Sequence, residues 1–210
     1  MPDILPYVIE DDLVEKARAT GRALCRVYRP QGVAVVIGRG GDAARELFLE
    51  AIDDDGVPIH RRPGGGGAVV LDPGNLVVAL ALPMPGLGGI PDAFRQAGDL
   101  VIAALSDCGV AGVTQRGVSD LAVGDRKLGG SCLRRERGLA HYTTTLLVDP
   151  DLALLNRYLR HPPREPAYRA GRPHAGFVIS LRRLGCETAL DTLAAAMDAR
   201  LQYHLPEIRF

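Results

Sequence analysis

The sequence is poor in several residue types, and each scarcity argues against a class of function. It contains no tryptophan, and aromatic residues make up only 5% of its 210 residues, which argues against a surface that stacks nucleic-acid bases. The chain has four cysteines, at Cys25, Cys108, Cys132 and Cys186. They show neither Cys-x-x-Cys spacing nor clustering with histidines, so neither a zinc site nor a disulfide framework is indicated. Lysine is also rare, because 23 of the 25 basic residues are arginine and only Lys16 and Lys127 are lysine.

The charges are balanced, and no targeting segment is visible. Lysine plus arginine and aspartate plus glutamate each total 25, so no net charge draws the protein to nucleic acid or to a membrane surface. No apolar run approaches the roughly 18 residues of a membrane span, and residues 1–10 lack the basic and apolar regions of a signal peptide. With 47% hydrophobic residues, the sequence predicts a globular cytoplasmic protein whose partners include neither nucleic acid nor membrane.

Short apolar runs and turn residues predict one α+β domain over residues 1–210. Strands are predicted at residues 23–28, 33–37, 68–71, 76–82, 119–123, 126–132 and 141–148. They follow one another as hairpins rather than in β-α-β alternation, which favours a mostly antiparallel mixed sheet flanked by helices. Helices are predicted after a cap at Asp42 and over residues 91–108, 151–159 and 187–203.

The most informative segment is the glycine run in Arg61-Arg62-Pro63-Gly64-Gly65-Gly66-Gly67-Ala68-Val69. Consecutive glycines bury no side chain and lose the most backbone entropy on ordering. Folded proteins keep such a run where backbone passes close to a ligand or needs a positive φ. We therefore predict a substrate-binding loop, followed by a tight turn at Asp72-Pro73-Gly74-Asn75.

The second informative segment contains one of the two lysines, in Gly124-Asp125-Arg126-Lys127-Leu128-Gly129-Gly130-Ser131. Glycine at the first central position predicts a two-residue type II′ hairpin turn. In a regular strand, alternation puts Lys127, Gly129 and Ser131 on one face and turns Cys132 away from it. An ammonium group above a surface kept bare by glycine suits an anionic or carbonyl-bearing ligand. The alternative is an exposed strand lysine without a function.

Together these two segments resemble the lipoate–protein ligase A family, which belongs with biotin–protein ligases and octanoyltransferases. The resemblance rests on Arg61-Arg62-x-Gly-Gly-Gly-Gly-Ala-Val-x-x-Asp-x-Gly-Asn and, further along, on Ser119-Asp120-Leu121-x-x-Gly-x-Arg-Lys127-x-x-Gly130-Ser131. It implies the α+β fold of biotin/lipoate protein ligase catalytic domains, which is similar to class II synthetases. It also implies an enzyme that activates lipoate or octanoate with ATP and Mg²⁺ to an acyl-adenylate. The acyl group then passes to a lysine of a lipoyl-domain acceptor, such as H-protein, an E2 domain or another lipoate-binding protein.

The resemblance also implies roles for particular residues. Lys127 matches the catalytic lysine, which contacts the acyl carbonyl and the bridging phosphate oxygen. Ser119 and Asp120 match an Asn-Asp pair near the nucleotide, and Asp120 is the residue expected to hold Mg²⁺ with ATP, since no side-chain cluster indicates a separate metal site. The implied substrate- and adenylate-binding residues are Arg62, Gly64, Gly65, Gly66, Gly67, Ala68, Asp72, Asn75, Ser119, Asp120, Gly129, Gly130 and Ser131.

Some features depart from the family pattern. Gly64 stands where serine or threonine usually precedes the three glycines, Leu71 replaces a histidine before Asp72, and Thr143-Thr144 replaces a His-Gly pair. We expect no C-terminal accessory domain within residues 1–210. By resemblance, that domain's role in activation then falls to a separate accessory subunit.

Two alternatives remain open from the sequence. An octanoyl- or lipoyltransferase of the same fold would use a cysteine nucleophile instead of ATP, with Cys132 or Cys108 as the candidates. The chain could also be a non-catalytic lipoyl-binding subunit of a two-part ligase, which would need neither a cysteine nucleophile nor ATP. The sequence does not choose among the acceptors, or between lipoate and octanoate.

A long segment at residues 161–174 is rich in proline and contains Arg164, Arg169 and Arg172. Loops of this length are usually functional covers or disordered segments. We predict that these arginines cover the phosphates of the bound nucleotide. The alternative is an arginine-rich surface loop that pairs with acidic neighbours.

Overall fold

The computed structural model describes residues 2–84 and 89–207. The strands are β1 (Ile4–Pro6), β2 (Leu24–Tyr28), β3 (Ala34–Ile37), β4 (Ile59–Arg61), β5 (Val69–Leu71), β6 (Asn75–Pro83), β7 (Val113–Arg116), β8 (Asp120–Val123), β9 (Arg126–Glu136) and β10 (Leu139–Leu147). The α-helices are α1 (Asp11–Thr20), α2 (Ala43–Glu46), α3 (Leu49–Asp54), α4 (Ile90–Asp107), α5 (Ala153–Tyr158), α6 (His174–Phe177) and α7 (Leu190–His204). None of the helices in the described ranges is both long and apolar enough to cross a membrane.

The larger sheet is antiparallel and has the strand order β2-β6-β10-β9-β8-β7. Strands β6 and β10 both lie inside this sheet, and β6 is buried on both faces, as its continuous apolar run indicates. On one face, Leu76, Val78 and Leu80 pack against α4 and α7 in the main core. On the other face, Ala79 and Ala81 contact α1. This second face also meets the smaller sheet.

The smaller sheet has the order β1-β4-β3-β5, with β1 and β3 parallel to β4 and with β5 antiparallel to β3. Its outer side packs against α3 and α5 around Ile37, Leu47 and Ile52. Its inner side contributes Val36 and Leu71, which meet Val77 of β6 in a small apolar layer between the two sheets. The glycine loop connects β4 to β5 and therefore lies at the edge of this layer.

The α+β class and the mostly antiparallel sheet flanked by helices are confirmed, and the structure adds a second, smaller sheet. The chain changes sheets at the predicted Asp72–Asn75 turn, because β5 pairs with β3 whereas β6 pairs with β2 and β10. The turn is held from both sides: Asp72 Oδ1 accepts from the Gly74 amide at 2.7 Å, and Asp72 Oδ2 accepts from the Asp151 amide at 2.7 Å. A local turn signal does not reveal which distant strands the two strands that flank the turn, β5 and β6, pair with.

The prediction of one continuous helix after Asp42 is wrong. Asp42 caps α2 as expected, since its side chain accepts from the Ala44 and Arg45 amides. The helix then stops, and Leu47 adopts an extended conformation that bridges to Leu159. A pairing with a distant segment overrides the helical spacing here. The sequence interpretation also missed α1 and the edge strands β1 and β7.

Candidate active site

Strand β9 carries a β-bulge that decides which residues share the face of Lys127. Ala122 pairs with Lys127 but its neighbour Leu121 pairs with Gly129, so Leu128 has no partner on β8. The extra residue is a bulge, which reverses the alternation of faces beyond it. Leu128 is completely buried in the main core, which holds the bulge in place.

Because of the bulge, the prediction that Lys127, Gly129 and Ser131 share one face of the sheet is wrong. A Cβ atom on Gly130 would lie 2.8 Å from Lys127 Nζ, so Gly130 is the bare position beside the lysine. Gly129 instead packs against the Thr145 carbonyl. Ser131 turns its hydroxyl toward the buried Tyr142, 2.7 Å away. The binding roles implied for Gly129 and Ser131 stay predictions, although neither residue lies on the lysine face.

Cys132 lies on the Lys127 face, contrary to the sequence-based expectation. A Cβ atom on Gly64 would lie 2.8 Å from Cys132 Sγ, so the glycine loop packs directly over this residue. Burial raises the pKa of the Cys132 thiol, and this effect outweighs the opposing charge of Arg62. The thiol is therefore protonated at neutral pH. Through Gly130 and Cys132, strand β9 brings the lysine and the loop together on one surface.

Lys127 is held by a buried carboxylate. Its Nζ atom lies 2.7 Å from Asp120 Oδ1, and 29% of the lysine side chain remains exposed. The other oxygen, Asp120 Oδ2, accepts a hydrogen bond from the Tyr168 hydroxyl at 2.8 Å. Burial, followed by the charge of Asp120, raises the pKa of Tyr168, which keeps this hydroxyl a donor. Asp120 therefore orients the ammonium group without closing it off from solvent.

Arg62 holds the glycine loop by its carbonyl groups. The guanidinium donates to the Gly65 carbonyl at 2.7 Å and to the Gly67 carbonyl at 2.8 Å, and also to Val36 on β3. The carbonyl of Gly64 accepts from the Arg39 amide at 2.8 Å. The carbonyl oxygens of Gly64, Gly65 and Gly67 thus point toward the protein and are occupied.

The amide groups of the same loop are free. In the described part of the chain, the amides of Gly65, Gly66 and Gly67 donate no hydrogen bond, and all three residues are exposed. Gly66 has a φ of 94°, a value that only glycine adopts readily. Successive free amides with their carbonyls turned away form a concave site that favours anions.

Glu46 anchors the far end of the loop, and the sequence interpretation missed it. Its buried carboxylate accepts from the Ala68 amide at 2.7 Å and from the Asp42 amide at 3.1 Å. A Cβ atom on Gly41 would lie 2.9 Å from Glu46 Oε1. No local sequence signal identifies Glu46, because its burial and the end of α2 at this residue are decided by tertiary contacts.

The arginines of residues 161–174 differ in their surroundings. Arg172 is paired: its guanidinium donates to the Asp125 side chain and to the carbonyls of Asp125 and Tyr168, each at 2.7–2.8 Å. Arg169 is only 4% exposed. Its Nε atom donates to the Arg172 carbonyl at 2.9 Å and lies 3.4 Å from the Glu165 carboxylate, whereas its Nη2 atom is buried without a hydrogen-bond partner among the described residues. Arg164 is exposed. Through Tyr168, this segment closes over the carboxylate that holds Lys127.

The remaining predicted residues lie in the turns around the site. Asn75 is buried and accepts from the Asp72 amide through Oδ1 at 2.8 Å, so both residues stabilise the sheet-changing turn. Ser119 precedes β8 and accepts from the Ser131 amide through its carbonyl. The implied contacts of these three residues with substrate stay predictions.

The site offers one carboxylate for a divalent cation. Among residues 2–84 and 89–207, no three His, Cys, Asp or Glu side chains cluster as a metal site. Mg²⁺ commonly binds through one or two carboxylates together with substrate phosphates and water. Both oxygens of Asp120 already have partners, Lys127 and the Tyr168 hydroxyl, so a Mg²⁺ ion that arrives with a nucleotide would share this carboxylate with them.

Comparison with known proteins identifies the family. A model of the "Lipoyl protein ligase A/B catalytic domain" matches residues 6–202. A protein of Aeropyrum pernix with the description "Putative lipoate-protein ligase A" is 33% identical over 145 residues, which are 68% of this chain and 53% of that protein. The chain therefore spans about half the length of this curated relative.

Solved structures show the same fold. A bipartite lipoate protein ligase from Thermoplasma acidophilum, described with its E2 lipoyl domain, superposes with a TM-score of 0.77 at 21% identity over 100% of this chain and 83% of that chain. A lipoate-protein ligase A bound with ATP gives a TM-score of 0.75 at 21% identity over 98% of this chain and 86% of that chain. The match to the family model covers nearly the whole chain, and we conclude that this protein belongs to the lipoyl protein ligase A/B catalytic domain family.

Proposed function

We propose that this protein is an ATP-dependent lipoate–protein ligase, which activates lipoate or octanoate as the acyl-adenylate and transfers the acyl group to an acceptor lysine. The observation that carries the proposal is the Lys127 ammonium group, fixed by Asp120 beside Gly130 and on the face covered by the glycine loop. Adenylation brings a carboxylate onto a phosphate, so negative charge accumulates where two anions meet. A fixed cation and free amides stabilise that charge as it develops.

The glycine-loop amides, Arg62 and Lys127 have different roles in this reaction. The free amides of Gly65, Gly66 and Gly67 hold the acyl-phosphate oxygens, and Arg62 keeps the loop carbonyls turned away from these anions. Lys127 contacts the acyl carbonyl and the bridging phosphate oxygen. In the second half-reaction, the same ammonium stabilises the phosphate that leaves when the acceptor amine attacks the acyl carbon.

In this proposal Arg169 binds the nucleotide phosphates. Its Nη2 atom is buried, has no partner in the described residues and lies on the segment that closes over Asp120 through Tyr168. Buried guanidinium groups without a full set of acceptors are costly, and phosphate oxygens supply the missing acceptor. Arg164 lies exposed on the same segment and covers the outer phosphates, whereas Arg172 fixes the segment to Asp125. Mg²⁺ bound at Asp120 would neutralise phosphate charge.

We further propose that activation needs a separate accessory subunit and that the acceptor is a lipoyl domain of an H-protein, an E2 subunit or another lipoate-binding protein. A structural neighbour that is a bipartite ligase described with its E2 lipoyl domain supports this arrangement. Residues 1–210 act in it as a single catalytic domain. Arg164, on the segment of residues 161–174, and Val118, in the turn before β8, are both exposed and accessible to such an acceptor.

The proposal is tested by exchange of labelled pyrophosphate into ATP in the presence of lipoate or octanoate, with and without a candidate accessory subunit. Acid-dependent exchange shows adenylate formation. Mass spectrometry of a lipoyl-domain acceptor then measures transfer. If neither exchange nor transfer occurs with any subunit combination, the chain is not an ATP-dependent ligase.

One observation favours a second candidate, an ATP-independent acyltransferase. Cys132 lies on the Lys127 face beneath Gly64, where a thiolate would reach an acyl group. Its raised pKa argues against this chemistry at neutral pH. In that reaction the thiolate attacks a donor thioester, the donor thiol leaves, and an acyl–Cys132 thioester forms. Trapping this thioester without ATP, and its loss in Cys132→Ser, would establish the transferase.

A further inference from the structure

The glycine loop is anchored from the side of the smaller sheet. The Arg62 guanidinium donates to the Val36 carbonyl of β3 at 3.2 Å. Gly38 lies directly after β3, and a Cβ atom there would overlap the Gly66 carbonyl oxygen, so the loop backbone rests against this glycine. Lys127, in contrast, belongs to the larger sheet. These anchors therefore do not by themselves set the distance between the loop amides and the ammonium group.

The contact between Gly64 and Cys132 joins the loop to β9, the strand that carries Lys127. Gly64 is buried, whereas the next three glycines are exposed. A Cβ atom on Gly64 would lie 2.8 Å from Cys132 Sγ and 3.2 Å from Cys132 Cβ. Atoms in favourable contact lie about 3.5–4.0 Å apart, so position 64 has no room for a side chain above this cysteine. The φ of Gly64 is not positive, so the backbone alone would admit alanine.

Strand β9 is held more firmly than the loop that rests on it. It lies between β8 and β10 in the larger sheet, and Cys132 pairs with Thr143 of β10. Turning the thiol aside would relieve the sulfur contact but not the 3.2 Å contact, because the strand backbone fixes the Cβ atom of Cys132. A side chain at position 64 would therefore displace the loop rather than the strand.

We infer that Gly64 and Cys132 are a matched pair of positioning residues, whose contact sets the distance between the loop amides and the Lys127 ammonium group. The inference deepens the proposed function, on which it rests, by naming the contact that fixes these two anion-binding elements relative to each other. Both residues act through the loop rather than by contact with the reacting atoms. Preorganised donors stabilise developing charge only at the right distance from it, so displacing the loop should slow adenylation.

Crystal structures of Gly64→Ala and of the double variant Gly64→Ala/Cys132→Ala test the geometry directly. In Gly64→Ala the loop amides should move away from Lys127 Nζ by about 1 Å, the shift that restores an ordinary contact with Cys132. In the double variant most of this displacement should disappear, because the sulfur atom is gone and the 3.2 Å contact needs only a small adjustment. If the thiol turns aside in Gly64→Ala and the loop stays in place, the inference is wrong.

Exchange of labelled pyrophosphate into ATP measures the consequence for the reaction. Gly64→Ala should lower kcat by about tenfold or more. The ratio kcat/KM should fall by the same factor, because the loop amides meet charge that appears in the transition state. Adding Cys132→Ala should recover most of this loss, since residues in contact typically show coupling of about 2–150-fold. A double variant whose loss is the product of the two single losses would contradict the pairing.

Cys25→Ala is the matched control for the second substitution. Cys25 is a partly buried cysteine of β2 that packs against the main core, and β6 and β10 separate it from β9. The variant Gly64→Ala/Cys25→Ala should therefore stay as slow as Gly64→Ala. Urea unfolding should show the same pattern: Gly64→Ala raises the unfolding equilibrium constant about 5–150-fold, as an overpacked contact does, and Cys132→Ala reverses most of this rise. Equal recovery with Cys25→Ala would contradict a specific pair.

These measurements separate the inference from the proposed function. The loop displacement and the unfolding equilibrium require neither ATP nor an accessory subunit, whereas pyrophosphate exchange measures adenylation. A loop that moves in Gly64→Ala and returns in the double variant, together with absent exchange in the wild type, would support the pair and count against the ligase. Exchange in the wild type with additive effects of the two substitutions would do the reverse.

Discussion

The carboxylate of Asp120 joins two segments at the site: Oδ1 lies 2.7 Å from Lys127 Nζ, and Oδ2 accepts from the Tyr168 hydroxyl at 2.8 Å. One buried acid therefore fixes the ammonium group on β9 and the segment of residues 161–174 that closes over it. Because the two contacts use different oxygens, each can be removed separately by mutation. This arrangement makes the roles of neighbouring residues distinguishable.

Lys127→Ala should retain the fold and lose acyl transfer. Removing a group that stabilises charge only in the transition state typically costs about 10²–10³ in rate. The measurement is acceptor acylation by mass spectrometry, with circular dichroism as the folding check. Lys16→Ala is the matched control, since Lys16 is the other lysine and lies exposed on α1. Activity near the wild-type level in Lys127→Ala would remove this lysine from the mechanism.

Asp120→Asn should lower kcat about 10–100-fold. The variant keeps a polar partner for Tyr168 but loses the charge that orients Lys127, and a hydrogen bond to a charged group contributes about 1.5–3 kcal/mol. Tyr168→Phe is the comparison, because it leaves the Lys127–Asp120 pair intact and should reduce kcat less. Steady-state kinetics with the acceptor at saturation measure both. Equal losses in the two variants would mean that Asp120 acts mainly by holding the segment.

Gly65→Ala should reduce activity while leaving the stability of the fold nearly unchanged. A Cβ atom there would meet no atom within 4 Å, and its φ is not positive, so the free energy of unfolding should change by less than about 1 kcal/mol. If the Gly65 amide contacts the acyl-phosphate, the added methyl group should still weaken acid-dependent pyrophosphate exchange at least tenfold. Gly32→Ala, equally unobstructed and in a distant turn, is the control. Unchanged exchange in Gly65→Ala would show that the loop amides do not approach the ligand.

Glu46→Ala should destabilise the protein by about 1–3 kcal/mol, because the part-buried hydrogen bonds from the Ala68 and Asp42 amides lose their acceptor. Urea unfolding measures this change. Glu50→Ala, an exposed acid on α3, should have little effect. A loss of adenylation larger than the loss of folded protein would show that Glu46 also positions the glycine loop.

Acid should weaken the fold through Glu10. Burial by itself would raise the pKa of Glu10, but hydrogen bonds from His141, Tyr28 and Thr143 and the charge of His141 lower it below its ordinary value of 4.5. The folded state thus binds this proton less readily than the unfolded state does. The stabilisation is complete above about pH 4.5 and is lost as the pH falls from there through the lower folded-state pKa.

Urea unfolding between pH 3 and pH 6 tests this linkage by comparing wild-type protein with Glu10→Gln. The difference in unfolding free energy between the two proteins should shrink as the pH falls below about 4.5. A difference that is constant across this range would mean that Glu10 is not ionised in the folded protein.

The sequence by itself determined the features that depend on local backbone chemistry. Consecutive glycines indicated the loop, and Asp72-Pro73-Gly74-Asn75 indicated a turn, which the structure confirms. Gly124 has a φ of 60°, as the predicted hairpin turn requires. The rarity of lysine made Lys127 conspicuous. Each of these signals belongs either to a few neighbouring residues or to the overall composition, so no tertiary contact was needed to recognise it.

Only the tertiary structure decided which residues share a surface. The buried side chain of Leu128 produces the bulge that places Gly130 and Cys132, rather than Gly129 and Ser131, beside Lys127. The partition of β5 and β6 between two sheets follows from pairing with distant strands. Glu10, at the start of the first helix, accepts hydrogen bonds from Tyr28 of β2 and Thr143 of β10. Local propensity carries no information about such contacts, because strand register and the packing of distant elements are fixed by burial across the whole core.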